Sequence, residues 1–225
     1  HAVEIRLDDR NRLAEVHDSR EGGWTGYAHD ARGNVTRTRR YTITYDAADQ
    51  PVTVAGDGVL ATYAYDGALR RVKQTTEAAT RYSVYAATGR LLLREDSGTA
   101  AVTHYLSLAG VALARLHESG TELIVTDHLG SPVFARRHDG SHWRADWYPF
   151  GEPHLAPAGT RDEPAFSGHV ADADTGLLYL QARYLDPVLG RFLSVDPAGY
   201  RMQLRSSFNR YAYASNDPVN FRDPD

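Results

Sequence analysis

The chain of 225 residues contains no cysteine and a single methionine. The first absence excludes disulfides and thiolate metal sites, so burial and hydrogen bonding hold the fold whatever the redox compartment. No apolar run approaches the ~18 residues that span a bilayer. The first twenty residues, HAVEIRLDDRNRLAEVHDSR, also lack the apolar stretch of a secretory signal. Neither sign of charge dominates: the formal net charge is −4, and the doublets Arg39-Arg40, Arg70-Arg71 and Arg136-Arg137 are scattered. Nucleic acid calls for a concentrated basic stripe, so no nucleic-acid partner is expected. The ten histidines include no His-Glu-x-x-His spacing, and no glycine-rich loop of the phosphate-cradling kind occurs. The expectation is therefore no metal and no cofactor. His1 is not an initiator residue, which makes the chain read as a piece of a longer polypeptide.

Tyrosine is abundant, at 14 residues, and periodic. Tyr45, Tyr65, Tyr85 and Tyr105 recur at intervals of twenty residues, within YTITYDAADQPV, TYAYDGALRRV, YSVYAATGRLL and HYLSLAGVAL. GYAHDARGNV, residues 26–35, is an earlier, degenerate copy. Alternation such as Tyr41, Ile43, Tyr45 reads as a strand with one buried face, and the following Asp, Gly or Asn cluster reads as a tight turn. Gly33, Gly67 and Gly89 are placed to supply turn conformations that a side chain obstructs. Twenty residues accommodate two short strands and two turns, so the predicted object is a string of hairpins pairing into one curling sheet. The tyrosines then sit half-buried, ring inward and hydroxyl at the rim, or alternatively form a platform for stacking sugars.

The Tyr-Asp units resemble the tyrosine-aspartate repeats of RHS proteins, toxin-complex C subunits and teneurins. VTDHLGSPVFARRHDGSHWRADWYPFGEP (residues 125–153), FSGHVADADTGLLYLQARYLDPVLGRFLSVDPAGY (166–200) and NRYAYASNDPVNFRDPD (209–225) resemble successive segments of the RHS repeat-associated core domain. The resemblance implies an all-β fold. Hairpin repeats over residues 1–120 form a curling strip of a hollow shell, and a core or plug domain follows over residues 121–225. It further implies that the shell encloses a downstream C-terminal toxin, in a protein that is secreted, delivered by a bacterial secretion system or held at the cell surface. Its partners would be the rest of that shell and the toxin. An excised strip with open edges is expected to form oligomers or depend on another chain. The alternative reading is a cell-surface or wall-associated β-repeat module that binds glycans.

Many members of the family cut themselves after a sequence of the type Asp-Pro-x-Gly-Leu, in a single turnover. The resemblance places the paired aspartates at Asp196, in SVDPAG, and Asp223, in FRDPD, and a functional arginine at Arg191. Peptide hydrolysis by two carboxylates needs one as acid on the scissile carbonyl and one as base on the water. Pro197 and Pro224 fix the backbone after each aspartate and remove a donor; read without the resemblance, Asp-Pro is a common turn opener. Three features depart from the family. YRMQLRSSF (residues 200–208) lengthens the interval between the Asp-Pro segments, Asp217 adds a rival carboxylate before Pro218, and the chain ends at Asp225 before any Gly-Leu. Elsewhere, DADTG (172–176) reads as a turn, since it lacks the further ligands of a calcium loop. LLYLQARY (177–184) reads as a strand. The aromatics of WRADWYPFGEP (143–153) read as anchors of the plug.

Overall fold

Short alternating segments separated by turn acids yield strands and almost nothing else. The computed structural model describes residues 2–156, 163–198 and 209–223, and among them no α-helix occurs. Three strands, β1 (Val3–Leu7), β2 (Leu13–Asp18) and β3 (Trp24–Gly26), form a small antiparallel sheet. A thirteen-stranded meander follows, every strand antiparallel to its predecessor. It comprises β4 (Ala28–His29), β5 (Val35–Arg37), β6 (Thr42–Tyr45), β7 (Pro51–Gly56), β8 (Val59–Tyr65) and β9 (Arg71–Thr75). It continues through β10 (Thr80–Tyr85), β11 (Leu91–Asp96), β12 (Ala101–Leu108), β13 (Val111–His117), β14 (Gly120–Thr126), β15 (Pro132–Arg137) and β16 (His142–Arg144). Hydrogen bonding is unbroken at residue 120, where Ala114 pairs with Leu123 and Arg115 with Glu122. The sheet thus runs through the point where the sequence places the start of the core domain.

The repeat rests on one turn. Asp66 accepts through its backbone oxygen from Leu69 N–H and donates its own N–H to Arg70 O, while its side chain accepts the N–H groups of Ala68 and Arg70, each at 2.9 Å. Asp8, Asp30, Asp46 and Asp127 make the same two side-chain bonds to the second and fourth residues onward. The carboxylate thereby satisfies donors that the bulge in the strand pair leaves free. The residue three after each acid is left-handed: Asn11, Gly33, Asp49, Leu69 and Gly130 all have positive φ. This corrects the sequence reading at one glycine, since Gly67 is not left-handed and Leu69, at φ 61°, takes that conformation instead. Gly33 and Gly89 do have positive φ, at 95° and 84°.

A plug packs on one face of the meander. Its strands β17 (Asp146–Trp147) and β18 (Pro153–Leu155) pair with each other. Four short strands, β19 (Val170–Ala171), β20 (Leu178–Tyr179), β21 (Tyr184–Asp186) and β22 (Arg191–Phe192), form its sheet. The 177–184 run is therefore two strands, not one: Gln181, at φ 56°, turns the chain between them. Val170, Leu177, Tyr179, Tyr184 and Leu193 of the plug share a core with Val35, Ile43, Val54, Ala61 and Tyr63 of the meander. Trp143 is buried and donates Nε1–H to Glu122 Oε1 at 2.6 Å, and Trp147 donates to Pro132 O at 3.1 Å. Tyr148, by contrast, stays exposed.

One buried ion pair crosses the same interface. Arg71 of β9 donates to both carboxylate oxygens of Asp172, at 2.6 and 2.7 Å, with side chains 2% and 0% exposed. Tyr63 donates its hydroxyl to Asp172 at 3.0 Å, and Arg71 Nη1 donates to the Tyr184 hydroxyl at 3.0 Å. The guanidinium also lies 4.4 Å from the Tyr179 ring centroid. A charge pair this deeply buried is tolerable because its geometry is bidentate and further donors saturate it. The DADTG segment does turn, but its first acid serves this lock.

Candidate functional site: an aspartate pair at one guanidinium

The two Asp-Pro segments lie 27 residues apart in sequence. Asp196 follows β22, and the returning segment at Arg210 clamps it: Asp196 N–H donates to Arg210 O at 3.0 Å, and Arg210 Nη2 donates to Asp196 O at 2.6 Å. Its Oδ1 accepts Ala198 N–H at 2.7 Å, the Asp-Pro turn the sequence leads one to expect. Asp223 arrives after the turn at Ala214–Asn216, where Ala214, Ser215 and Asn216 all have positive φ. That turn presents the Ala214 backbone to the Asp223 carboxylate.

Arg183, between β20 and β21, brings the two acids to a common centre. Its Nη2 lies 3.5 Å from Asp196 Oδ2 and 3.7 Å from Asp223 Oδ2. The guanidinium is stacked 3.6 Å from the Phe192 ring centroid and is 11% exposed, against 36% for Asp196 and 25% for Asp223. Burial pushes the Asp223 carboxyl above the ordinary aspartate range; Arg183 pulls it back, and the Asp196 charge adds to the rise. Asp223 Oδ2 is buried and has no hydrogen-bond partner among the described residues. Burial of this kind shifts a carboxyl toward its neutral form relative to an exposed aspartate. Pro224, Asp225 and residues 200–208 lie outside the described residues.

Arg191 is placed differently. Its Nη2 donates to Asn209 Oδ1 at 3.3 Å and to Asn11 O at 3.4 Å, and its guanidinium lies 5.6 Å from the Tyr211 ring centroid. It braces β22, which leads to Asp196, and no ion pair joins it to either acid among the described residues. The proposed rival, Asp217, has both oxygens within 3.0 Å of Asn220 Nδ2 and closes a turn. Sequence reasoning missed Arg183, because nothing in QARY marks it: its partners are 13 and 40 residues downstream. A cleft of about 450 Å³ opens beside Arg183 and Asp196, walled by the Asp46 and Asp66 turns, Val195 and Pro197.

The repeat tyrosines point their hydroxyls into the protein. Tyr45 donates to Val35 O at 2.9 Å, Tyr65 to Pro51 O at 2.7 Å and Tyr105 to Glu163 Oε2 at 2.7 Å.

A meander of hairpins stapled by tyrosines and closed by a plug is the wall of a β shell. The chain belongs to the teneurin YD-shell family, whose profile matches residues 1–219, and it is an RHS repeat protein. It is 27% identical over 252 residues to the tRNA3(Ser)-specific nuclease WapA of Bacillus spizizenii, covering 99% of this chain and 10% of that protein. It is 28% identical to the double-stranded DNA deaminase toxin A of Burkholderia cenocepacia, covering 97% of this chain and 18% of the toxin. Among solved structures, the fold matches TcdB2-TccC3-TEV with a TM-score of 0.72 at 21% identity, over 99% of this chain and 13% of that one. The chain thus spans between a tenth and a fifth of these proteins' lengths. Several relatives carry toxin names, and no helix among the described residues is long and apolar enough to cross a membrane.

Proposed function

We propose that this chain is the C-terminal part of an RHS shell that encloses a downstream effector, and that Asp196 and Asp223 sever the bond between shell and cargo. The observation that carries this reading is the single guanidinium, Arg183, within 4 Å of both carboxylates. Asp223, the more buried acid, donates its proton toward the scissile carbonyl oxygen. Asp196 takes a proton from water, and the hydroxide adds to the carbonyl carbon. The C–N bond then breaks as the amide nitrogen is protonated, leaving a new carboxylate on the shell and a new amine on the cargo. Arg183 holds the pair together, while Arg191 braces β22, which leads to Asp196. Toxin-named relatives support an enclosed effector as cargo, and a wall of paired strands prevents that cargo from meeting its target until the shell opens.

The test is a full-length chain that continues past Asp225. Mass spectrometry should find a released C-terminal polypeptide, and Asp196→Asn should leave the chain joined. Clean separation of the Asn variant at the same bond removes Asp196 from the chemistry.

A further inference from the structure

A cavity of about 460 Å³ opens where β2 and β3, the turn between β5 and β6, and the plug meet. It shares no lining residue with the cleft at Arg183. Its wall is apolar on one part, with Tyr27, Tyr41, Ile43 and Leu177, and charged on another, where the acids Asp18, Glu21, Glu152 and Asp186 meet three arginines. Three of those acids are paired. Arg20 bridges Asp18 and Glu152, each at 2.7 Å, and Arg39 and Arg40 both pair with Glu21. These six groups, three acids and three arginines, sum to zero, so the net charge of the cavity is that of Asp186.

Asp186 ends β21 and leads the turn into β22. Its Oδ1 accepts the N–H groups of Val188 at 3.0 Å and Leu189 at 3.2 Å, whereas its Oδ2 has neither a hydrogen bond nor an ion pair among the described residues. In the turns led by Asp8, Asp30 and Asp66 the second oxygen does have a partner: Arg12 at 2.7 Å, Asn34 at 2.9 Å and Arg70 at 2.8 Å. Building the turn therefore leaves half of the Asp186 carboxylate unused. Burial raises its pKa, Arg40 draws it down and Glu152 adds to the rise. A buried carboxyl without a counter-ion is one that an incoming cation stabilises in its charged form.

We propose that this cavity binds an organic cation, whose ammonium meets Asp186 Oδ2 and whose apolar stem packs on Tyr27, Tyr41 and Ile43. Aromatic walls suit a cation, and the volume falls within the range of roughly 300–1,000 Å³ that seats small ligands. The ammonium belongs to a free amine or to a lysine side chain, which present the same three donors. The site is independent of the self-cleavage reading.

The test is isothermal titration calorimetry of the full-length protein with phenethylamine as the free amine, Nα-acetyl-lysine amide as the side-chain probe and phenethyl alcohol as the neutral control. At least one of the two amines should bind saturably with one-to-one stoichiometry, and the alcohol at least about tenfold more weakly than that amine. Binding of phenethylamine alone assigns the site to a free amine; binding of the lysine probe assigns it to a side chain. Asp186→Asn keeps both backbone bonds through its amide oxygen and should weaken the amine at least about tenfold while leaving the alcohol unchanged. Val188→Phe, which fills the cavity and leaves Asp186 in place, should also abolish binding, so the site stays testable if the Asn variant fails to fold. No binding of either amine by the wild type, or equal amine binding by wild type and either variant, would overturn the site.

Discussion

Asp223 is subject to opposing influences, and their balance gives the site its pH dependence. Burial and the neighbouring Asp196 raise its pKa above the ordinary value of 3.8, and Arg183 works the other way. If neutral Asp223 is the acid, release should slow as pH rises through that raised pKa. Arg183→Gln removes the cation that draws the value down, so the alkaline fall should move to higher pH while the maximal rate drops. A pH–rate profile of release checks both signs, and an unmoved limb would separate Arg183 from the pair. Stability follows the same sign. A raised carboxyl contributes stability that is full below its unfolded pKa and lost as pH climbs through the folded one. The turn acids Asp8, Asp30 and Asp66 do the opposite. Burial alone would raise each, but donors from four residues onward outweigh it, so their contribution is present above the unfolded pKa and lost as pH falls. At Leu69 the left-handed backbone costs a non-glycine residue about 1–2 kcal/mol, and Leu69→Asn should recover about 1 kcal/mol in urea unfolding.

At the scale of elements, the junction between meander and plug hangs on β9 and the turn after β19. Asp172→Ala leaves the Arg71 guanidinium buried without its counter-ion, which should cost about 3–5 kcal/mol. Tyr63→Phe removes one hydrogen bond to the same carboxylate and should cost about 1 kcal/mol. Urea denaturation of both variants checks the ranking; near-equal losses would mean that the pair is not what anchors the plug. The strand rhythm was readable because each hairpin is local: an alternating run, an acid and a left-handed residue lie within a few positions of each other. The Leu177–Tyr184 run was misread as one strand because its turn falls at Gln181, a residue with no turn signature. Asp172 was legible as a turn former and illegible as an ion-pair partner, since Arg71 lies 101 residues away.

The whole molecule turns an apolar stripe outward. Val84, Leu106, Leu108, Val111, Leu113, Leu123 and Val125, on β10 and on β12 to β14, are each between 44% and 69% exposed. Leu108 faces Val111 across β12 and β13, and Val125 faces Phe134 across β14 and β15. Such surfaces drive association, and the isolated chain should form oligomers whose size grows with concentration. Leu108→Lys with Leu123→Lys should suppress this in light scattering; a wild-type monomer across the whole range would count against it. The sequence by itself determined the architecture, a repeating antiparallel hairpin closed by a core segment, because strand alternation and Asp-led turns act over a handful of residues. The motifs around Asp196 and Asp223 resemble those of the family's paired aspartates, and folding places both carboxylates within 4 Å of Arg183. Only the tertiary structure decided that Arg183 rather than Arg191 stands between them, that Arg71 holds Asp172, and that Leu69 overlooks the cleft. Those pairings join residues 13 to 127 positions apart, and a guanidinium's partner is chosen by where folding leaves a buried charge, which no local pattern records.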